Sequence, residues 1–322
     1  MGVDSNGILP IFINIFTKMK NKLIIPGGSG FMGNAIAQHF ADKNWEVIIL
    51  TRNPKNRTES NISEIQWDGK TLGNWSQQLE QSTMLINLTG RSVDCRYTDE
   101  NKAKILNSRV DSTNILHQAI RNCAKPPLLW INASTATIYR DSRDKKMTEI
   151  NGEIGDDFSM NVAKQWEAAF YSTQYNNIRQ VALRTSLVIG KDGGVMGPLK
   201  KLTTFRMGGQ HGDGQQKFAW IHMEDIIGII EHIYENENIK GSINCTAPSD
   251  ITNADFTKAL RSEMGIRFGM NHPKWMLHLG AIIIRTQPEL ILKSRWVDPE
   301  ILVQSGYNFK YSDINKALKD SL

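Results

Sequence analysis

The stretch Lys22-Leu23-Ile24-Ile25-Pro26-Gly27-Gly28-Ser29-Gly30-Phe31-Met32-Gly33 constrains this chain more than any other. A short apolar strand runs into a glycine-rich turn, and the turn opens a helix expected from Phe31 to about Phe40. Gly27, Gly30 and Gly33 recur at three-residue intervals. That spacing suits a loop that turns tightly, brings backbone N–H groups close to a diphosphate, and packs a helix onto a strand. The helix N-terminus adds oriented donors and a partial positive charge, so a dinucleotide pyrophosphate is the natural ligand. Glycines also mark ordinary turns. Here strand, glycines and amphipathic helix stand in the order that a dinucleotide site requires.

The chain then repeats strand and helix. Glu46 to Thr51 reads as a second buried strand, closed by Arg52-Asn53-Pro54. The end of such a strand faces the adenosine ribose. An acid there binds the 2′-hydroxyl of NAD, and a base accommodates the 2′-phosphate of NADP. Thr51 and Arg52 occupy the position and no acid follows before Glu59. This favours NADP(H), against the alternative of a solvated arginine in a turn. Ile62 to Trp67 is a third strand, ending at Asp68, which is placed to reach the adenine edge. Thr83 to Leu88 is a fourth, with Thr89-Gly90 turning beside the cofactor. A long helix follows over Asp99 to Ala124, with Ile105, Val110, Ile115 and Ile120 at helical spacing, and Leu128 to Asn132 is a fifth strand. Near-continuous apolar strands alternating with helices imply right-handed crossovers and a parallel sheet covered on both faces.

Beyond residue 139 the pattern loosens. A polar loop (Arg140 to Asp156) leads to a helix over Asp157 to Thr173 and a strand over Gln180 to Thr185. Gly190 to Gly214 is glycine-rich, holds one helix near Pro198 to Phe205, and suits a substrate-covering segment. A helix over Ile221 to Tyr234, a strand over Ser242 to Thr246 and a helix over Asn253 to Met264 follow. The tail from Pro273 to Leu322 reads as largely helical. The expected architecture is α/β: a Rossmann-like doubly wound parallel sheet with a smaller, mostly helical C-terminal substrate domain. Residues 1–18 read as a disordered extension and 19–185 as the nucleotide-binding domain. A segment of about 221–247 rejoins that domain, and 186–322 forms the substrate side.

Composition narrows the function classes. Lysines and arginines outnumber acids by 38 to 33, for a net charge of +5, but the charges are interleaved. No basic stripe interleaved with aromatics marks a nucleic-acid surface. Cys95, Cys123 and Cys245 are far apart and odd in number, as expected of reduced thiols in a cytoplasmic protein. The histidines form no HxH or HxxxH set, so no protein-built metal site is expected. No apolar run reaches the ~20 residues of a membrane span. Gly7 to Phe16 is apolar, but it follows Asp4 without a basic lead and reads as part of the extension, with a peripheral anchor as the alternative.

Taken together, the motifs resemble an extended short-chain dehydrogenase/reductase, in particular the atypical subgroup known as epimerase family proteins. The resemblance rests on the glycine loop, Leu50-Thr51-Arg52, Asn87-Leu88-Thr89-Gly90, Asn107-Ser108-Arg109, Gln165-Trp166-Glu167-Ala168-Ala169, Leu183-Arg184-Thr185 and Trp220-Ile221-His222-Met223-Glu224-Asp225. Ala247-Pro248, Thr252 to Phe256, Arg295 to Pro299 and Ser305 to Phe309 extend it over about residues 19 to 322. It implies NADP(H) on the parallel sheet, with the pyrophosphate at Gly27, Gly30, Phe31, Met32 and Gly33, and Arg109 and Val188 lining the cofactor. Arg109 reads equally as half of a helix-face ion pair, and Val188 as plain core. Some members of the subgroup are associated with bacterial or plastid division, which implies an interaction role as an alternative to an enzymatic one. A homodimer through the helices at Asp99 to Ala124 and Asp157 to Thr173 is a family-level expectation.

The expected chemistry has a gap. Reductases of this superfamily pair a tyrosine with a lysine four residues later, so that the ammonium lowers the phenol pKa and both groups share one helix face. Tyr97, Tyr139, Tyr171, Tyr175, Tyr234, Tyr307 and Tyr311 all lack that lysine, and the matching positions hold Ser159 and Ala163. Lys164 is adjacent but turned about 100° around the helix. The remaining catalytic candidates are Ser134 and Thr135 at the fifth strand's end, Tyr139 as a substitute acid, and Lys164. Ser134 and Thr135 read equally as hydroxyls capping a strand end, and Lys164 as a solvated helix lysine. His222 and Asp225 read as a helix start. Two functions therefore stay open. One is an NADP-dependent oxidoreductase or epimerase-like enzyme acting on a small carbonyl or sugar-nucleotide-type substrate. The other is a regulator that holds the cofactor.

Overall fold

The structure is a computed structural model that describes residues 20–191, 193–276 and 292–322. The expected extension at 1–18 and part of the tail lie outside the described residues. Seven parallel strands form one sheet in the order β3-β2-β1-β4-β5-β6-β9. They are β1 (Lys22–Pro26), β2 (Glu46–Thr51), β3 (Ile62–Gln66), β4 (Met84–Asn87), β5 (Leu129–Thr135), β6 (Arg179–Thr185) and β9 (Gly241–Cys245). The helices are α1 (Phe31–Asp42), α2 (Asp99–Arg121), α3 (Phe158–Phe170), α4 (Met196–Thr204), α5 (Met223–Glu235), α6 (Asn253–Glu263), α7 (Glu300–Gln304) and α8 (Ile314–Ser321).

Strand side chains alternate between two cores, as a pleated sheet buried on both faces requires. Leu23, Ile25, Val47, Ile49, Met84 and Ile86 face one core, with Ile36 of α1 and Ile226 and Ile229 of α5. Ile24, Ile48, Leu50, Leu85 and Trp130 face the other, with Ile115 and Leu116 of α2 and Phe170 of α3. From β1 the chain steps one way to β2 and β3, then returns to place β4 on the other side of β1. The crevice between β1 and β4 is therefore the switch point, where ligands settle in doubly wound sheets.

Two expectations need correction. The helix expected from Ile221 begins at Met223, because Trp220–His222 forms a strand (β8) paired in parallel with Leu187–Ile189 (β7). A three-residue buried strand running straight into a helix leaves no periodicity signal of its own. The fifth strand continues to Thr135, so Ser134 and Thr135 lie within the sheet and pair with Arg184 and Thr185. The middle of the tail expected to be largely helical lies outside the described residues; residues 274–276, α7 and α8 are helical. Buried Asp225 on α5 ties this tail down, accepting hydrogen bonds from Tyr307 Oη (3.1 Å) and from the amides of Lys310 (2.7 Å) and Tyr311 (3.0 Å).

Candidate functional site

The loops after β1 and β4 meet at the switch point. Gly27 takes a left-handed φ of +73°, and a Cβ there would stand 2.9 Å from the Thr89 backbone. Gly33 has a different reason to lack a side chain. Its Cβ would fall 2.3 Å from the Gly28 carbonyl oxygen, so the close seat of α1 on the loop depends on glycine. Gly30 meets nothing within 4 Å. It is exposed, caps α1 without a side-chain hydrogen bond, and precedes Phe31 and Met32, which are half-buried. First-turn amides of a helix have no intrahelical acceptors. The N-terminus of α1 therefore points donors and a partial positive charge at open space.

Around this cradle, Thr51 Oγ1 donates to Ser29 Oγ (3.1 Å) and Arg52 is exposed at the end of β2. Arg57, not singled out from sequence, donates to Asn34 of α1 (2.7 Å) and pairs with Glu64 (2.6 Å). The Asp68 carboxylate accepts the amides of Lys70 (2.8 Å) and Thr71 (2.9 Å), and those bonds hold its pKa below the ordinary value. Asn87 is fully buried. It donates to Asn132 (2.8 Å) and accepts the Thr89 amide (3.1 Å), which shapes the turn. Leu88 is half-buried and anchored by its amide to the Pro26 carbonyl (2.9 Å). The Thr89 hydroxyl is buried with no partner.

Arg109 of α2 lies against exposed Gly90, where a Cβ would come within 3.1 Å of the guanidinium carbon. Its Nη1 donates to the carbonyls of Arg91 (3.1 Å) and Ile105 (2.9 Å), and the group stacks on Trp166 (5.1 Å). Among the described residues no carboxylate pairs with it. Burial pulls its pKa down to about 10, so it stays charged at neutral pH. Val188 is half-buried on β7, and Gly190, Gly193 and Gly194 of the next segment pack on the ring of Phe31. The glycine-rich segment thus begins beside the cofactor loop.

The four catalytic candidates fall differently. Ser134 Oγ donates to Glu167 of α3 (2.6 Å), and Glu167 forms a two-point ion pair with Arg184 of β6 (2.8 and 2.7 Å). Arg184 also donates to Tyr139 Oη (2.8 Å), and Tyr139 donates to Asn244 of β9 (2.8 Å). Burial raises the Tyr139 pKa against the opposing pull of Arg184, which keeps the phenol protonated. Thr135 is half-buried, and its hydroxyl accepts the Thr137 amide (3.1 Å) at the start of a one-turn 3-10 helix. Lys164 pairs with the exposed Asp156 (2.6 Å). Ser134 and Tyr139 share one buried network, and Lys164 lies outside it. His222 caps α5 by accepting the Glu224 amide (3.3 Å).

Glu167 and Arg184 stood in the sequence as parts of the family segments and as single charges beside apolar residues, Glu167 within Trp166 to Ala169 and Arg184 after Val181 to Leu183. A charge in such a run signals a buried partner of opposite sign. Among the described residues no cluster of three or more His, Cys, Asp or Glu is arranged to hold a metal ion. None of the described helices is long and apolar enough to cross a membrane.

Comparison with known proteins agrees with this geometry. The model of the NAD dependent epimerase/dehydratase family matches residues 23–245. The chain belongs to this family. A second match, to a domain of unknown function (DUF1731), covers residues 272–321. The human epimerase family protein SDR39U1 is 28% identical over 302 residues, covering 93% of this chain and 99% of that protein. The epimerase family protein YfhF of Bacillus subtilis (strain 168) is 30% identical over 299 residues, covering 92% and 96%. A crystal structure of human SDR39U1 (isoform2) with NADPH superposes with a TM-score of 0.83 at 28% identity, over 93% of this chain and 98% of that one. As a member of this family the chain carries the Rossmann-like sheet that its sequence pattern predicts.

Proposed function

We propose that the protein binds NADP(H) in the β1/β4 crevice and acts as an oxidoreductase or epimerase-like enzyme on a small carbonyl or sugar-nucleotide-type substrate. The observation that carries this reading is the empty space at Gly30 beneath the uncapped N-terminus of α1. The buried, unpartnered Thr89 hydroxyl and the Arg109 guanidinium without a carboxylate lie at the same crevice. In this reading Gly27, Gly30, Phe31, Met32 and Gly33 cradle the pyrophosphate. Thr51 and Arg52 take the phosphorylated ribose, and Asp68 takes the adenine edge. Leu88, Thr89, Gly90, Arg109 and Val188 line the remainder, with Asn87 holding their turn. Human SDR39U1, similar in sequence and fold, has been crystallised with NADPH. When bound, the nicotinamide supplies a hydride donor or acceptor. The chain's residues bind and orient it, and Thr135 is the hydroxyl at the end of β5 nearest to free use. Residues 19–185 with 221–247 make up the nucleotide-binding body, and the remainder of 186–322 makes up the substrate side.

Calorimetry with NADPH and NADH tests the cofactor half, and tighter NADPH binding is the expected result. Loss of reduced-nicotinamide absorbance against a panel of aldehydes, ketones and nucleoside-diphosphate sugars tests the enzymatic half. A second reading, a regulator that holds the cofactor without turnover, is favoured by the engagement of Ser134 and Tyr139 in the Glu167–Arg184 network. Tight NADPH binding with no turnover across the panel would select it.

A further inference from the structure

The loop that follows β2 is tied to the sheet by a carboxylate from the neighbouring strand. Glu64 of β3 stands in register with Ile49 of β2, on the face that α1 covers. Its side chain is 1% exposed. The loop engages both carboxylate oxygens. Oε2 accepts the Lys55 amide (2.8 Å), and Oε1 accepts Nε and Nη2 of Arg57 (2.6 Å each). Arg57 Nη2 also donates to Asn34 Oδ1 of α1 (2.7 Å). Asn34 donates in turn to the Ser29 carbonyl (3.0 Å), and the Ser29 hydroxyl accepts from Thr51 Oγ1 (3.1 Å). One chain of bonds thus runs from β3 through Arg57 and α1 to Ser29 and Thr51 at the end of β2.

A buried ion pair adds little net stability over well-packed apolar side chains, so its main yield here is orientation. Glu64 and Asn34 fix the plane of the Arg57 guanidinium. The side chain nonetheless stays 23% exposed, and its Nη1 makes no hydrogen bond among the described residues. Arg52 is exposed on the same loop, Lys55 lies between the two arginines, and no acid does. The first turn of α1 holds no acid either. A planar fork of N–H donors suits a phosphate. The Glu64 carboxylate is occupied by Arg57 and the Lys55 amide, so it offers no acceptor to a ribose 2′-hydroxyl.

We propose that Arg57, oriented by Glu64, is a specificity-determining residue that takes the adenosine 2′-phosphate together with Arg52. This rests on the NADP(H) reading of the β1/β4 crevice and deepens it. Thr51 and Arg52 stand where any sheet of this kind receives the ribose. Arg57 lies farther along the loop, and a carboxylate of the next strand holds it in place.

Calorimetry on the full chain tests the assignment with two ligand pairs: adenosine 2′,5′-bisphosphate against adenosine 5′-phosphate, and NADPH against NADH. Arg57→Met with Glu64→Met removes both charges together, so no carboxylate is stranded beside the sheet. In that variant the affinity for the bisphosphate and for NADPH should fall at least about tenfold, the loss of one charge-assisted contact, while the other two ligands change by less than about twofold. Arg57→Lys keeps a cation beside Glu64 and should lie between wild type and the double variant. An unchanged urea transition certifies folding. If the double variant does not fold, Arg57→Lys carries the test, with NADPH weakened and NADH unchanged. Equal losses with and without the 2′-phosphate overturn the proposal and leave Arg57 as a loop brace, and so does the absence of any loss. A wild-type chain that binds neither NADPH nor the bisphosphate overturns the cofactor reading, and the assignment of Arg57 with it.

Discussion

Two ends of neighbouring strands in this sheet treat their polar groups in opposite ways. At the β1/β4 crevice, among the described residues, the first turn of α1 has no side-chain cap, the Thr89 hydroxyl has no partner, and Arg109, bonded only to carbonyls, has no carboxylate. At the β5/β6 ends, Ser134, Glu167, Arg184, Tyr139 and Asn244 form a closed chain of hydrogen bonds. Unmatched buried polarity is costly unless a ligand completes it, whereas matched polarity holds the fold. The contrast separates a region whose polar groups stand open from one whose polar groups are engaged with each other, although both lie where the family resemblance points to function.

Substitutions can break that contrast, beginning with the largest expected effect. Arg184→Met strands the Glu167 carboxylate in the core and should cost roughly 3–5 kcal/mol of unfolding free energy, read by urea titration. Cofactor affinity should be unchanged under native conditions. If NADPH binding falls as steeply as stability, the bracing role is not separate from binding. Gly33→Ala forces a methyl into the Gly28 backbone and should cost about 1–3 kcal/mol and weaken NADPH binding. Gly30→Ala has room for its methyl and should leave stability within about 0.5 kcal/mol while still weakening NADPH, because the methyl occupies the ligand's space. Equal NADPH affinity in Gly30→Ala and wild type would break the cradle reading.

A pH titration probes a third place, the seam between the glycine-rich segment and the ribbon at His272. The His211 ring is half-buried, 5.5 Å from the His272 ring and beside Asn253. Burial, then the neighbouring histidine, lower the His211 pKa from 6.5 to about 4. The folded state therefore resists a proton that the unfolded chain accepts. This stability is fully present above pH 6.5 and is lost as the pH falls toward 4. Partial exposure discounts the loss to roughly 2 kcal/mol. His211→Asn should flatten that limb of the unfolding profile, and an unflattened limb would assign it to other groups. A charge reversal at Arg52 tests cofactor preference. Arg52→Glu should weaken NADPH binding by about tenfold and raise NADH affinity, measured by calorimetry. An unaltered preference would return Arg52 to a solvated turn.

Much of the nucleotide-binding half was legible because its signals are local. Apolar runs of strand length, helical spacing in α2, and the glycines of one loop can each be read within a dozen residues. Three signals were not. Trp220–His222 was hidden at the front of a helical pattern, and its pairing with Leu187–Ile189 joins residues more than thirty positions apart. Asp225 looked like a first-turn acid, yet its carboxylate is the anchor of a tail more than eighty residues later. The buried bonds that Ser134 and Tyr139 make to Glu167 of α3 and Arg184 of β6 join segments far apart in the chain.

The sequence by itself determined the order along the chain of the seven strands of the main sheet and of α1 to α6, the glycine loop, the basic end of β2, and the absence of a tyrosine with a lysine four residues on. These are properties of short segments or of residue identity, which folding does not alter. Only the tertiary structure decided which polar side chains are matched. A hydrogen bond such as Tyr139 to Asn244 closes across 105 residues. Whether a side chain braces the core or remains available to a ligand depends on what the rest of the chain brings to it.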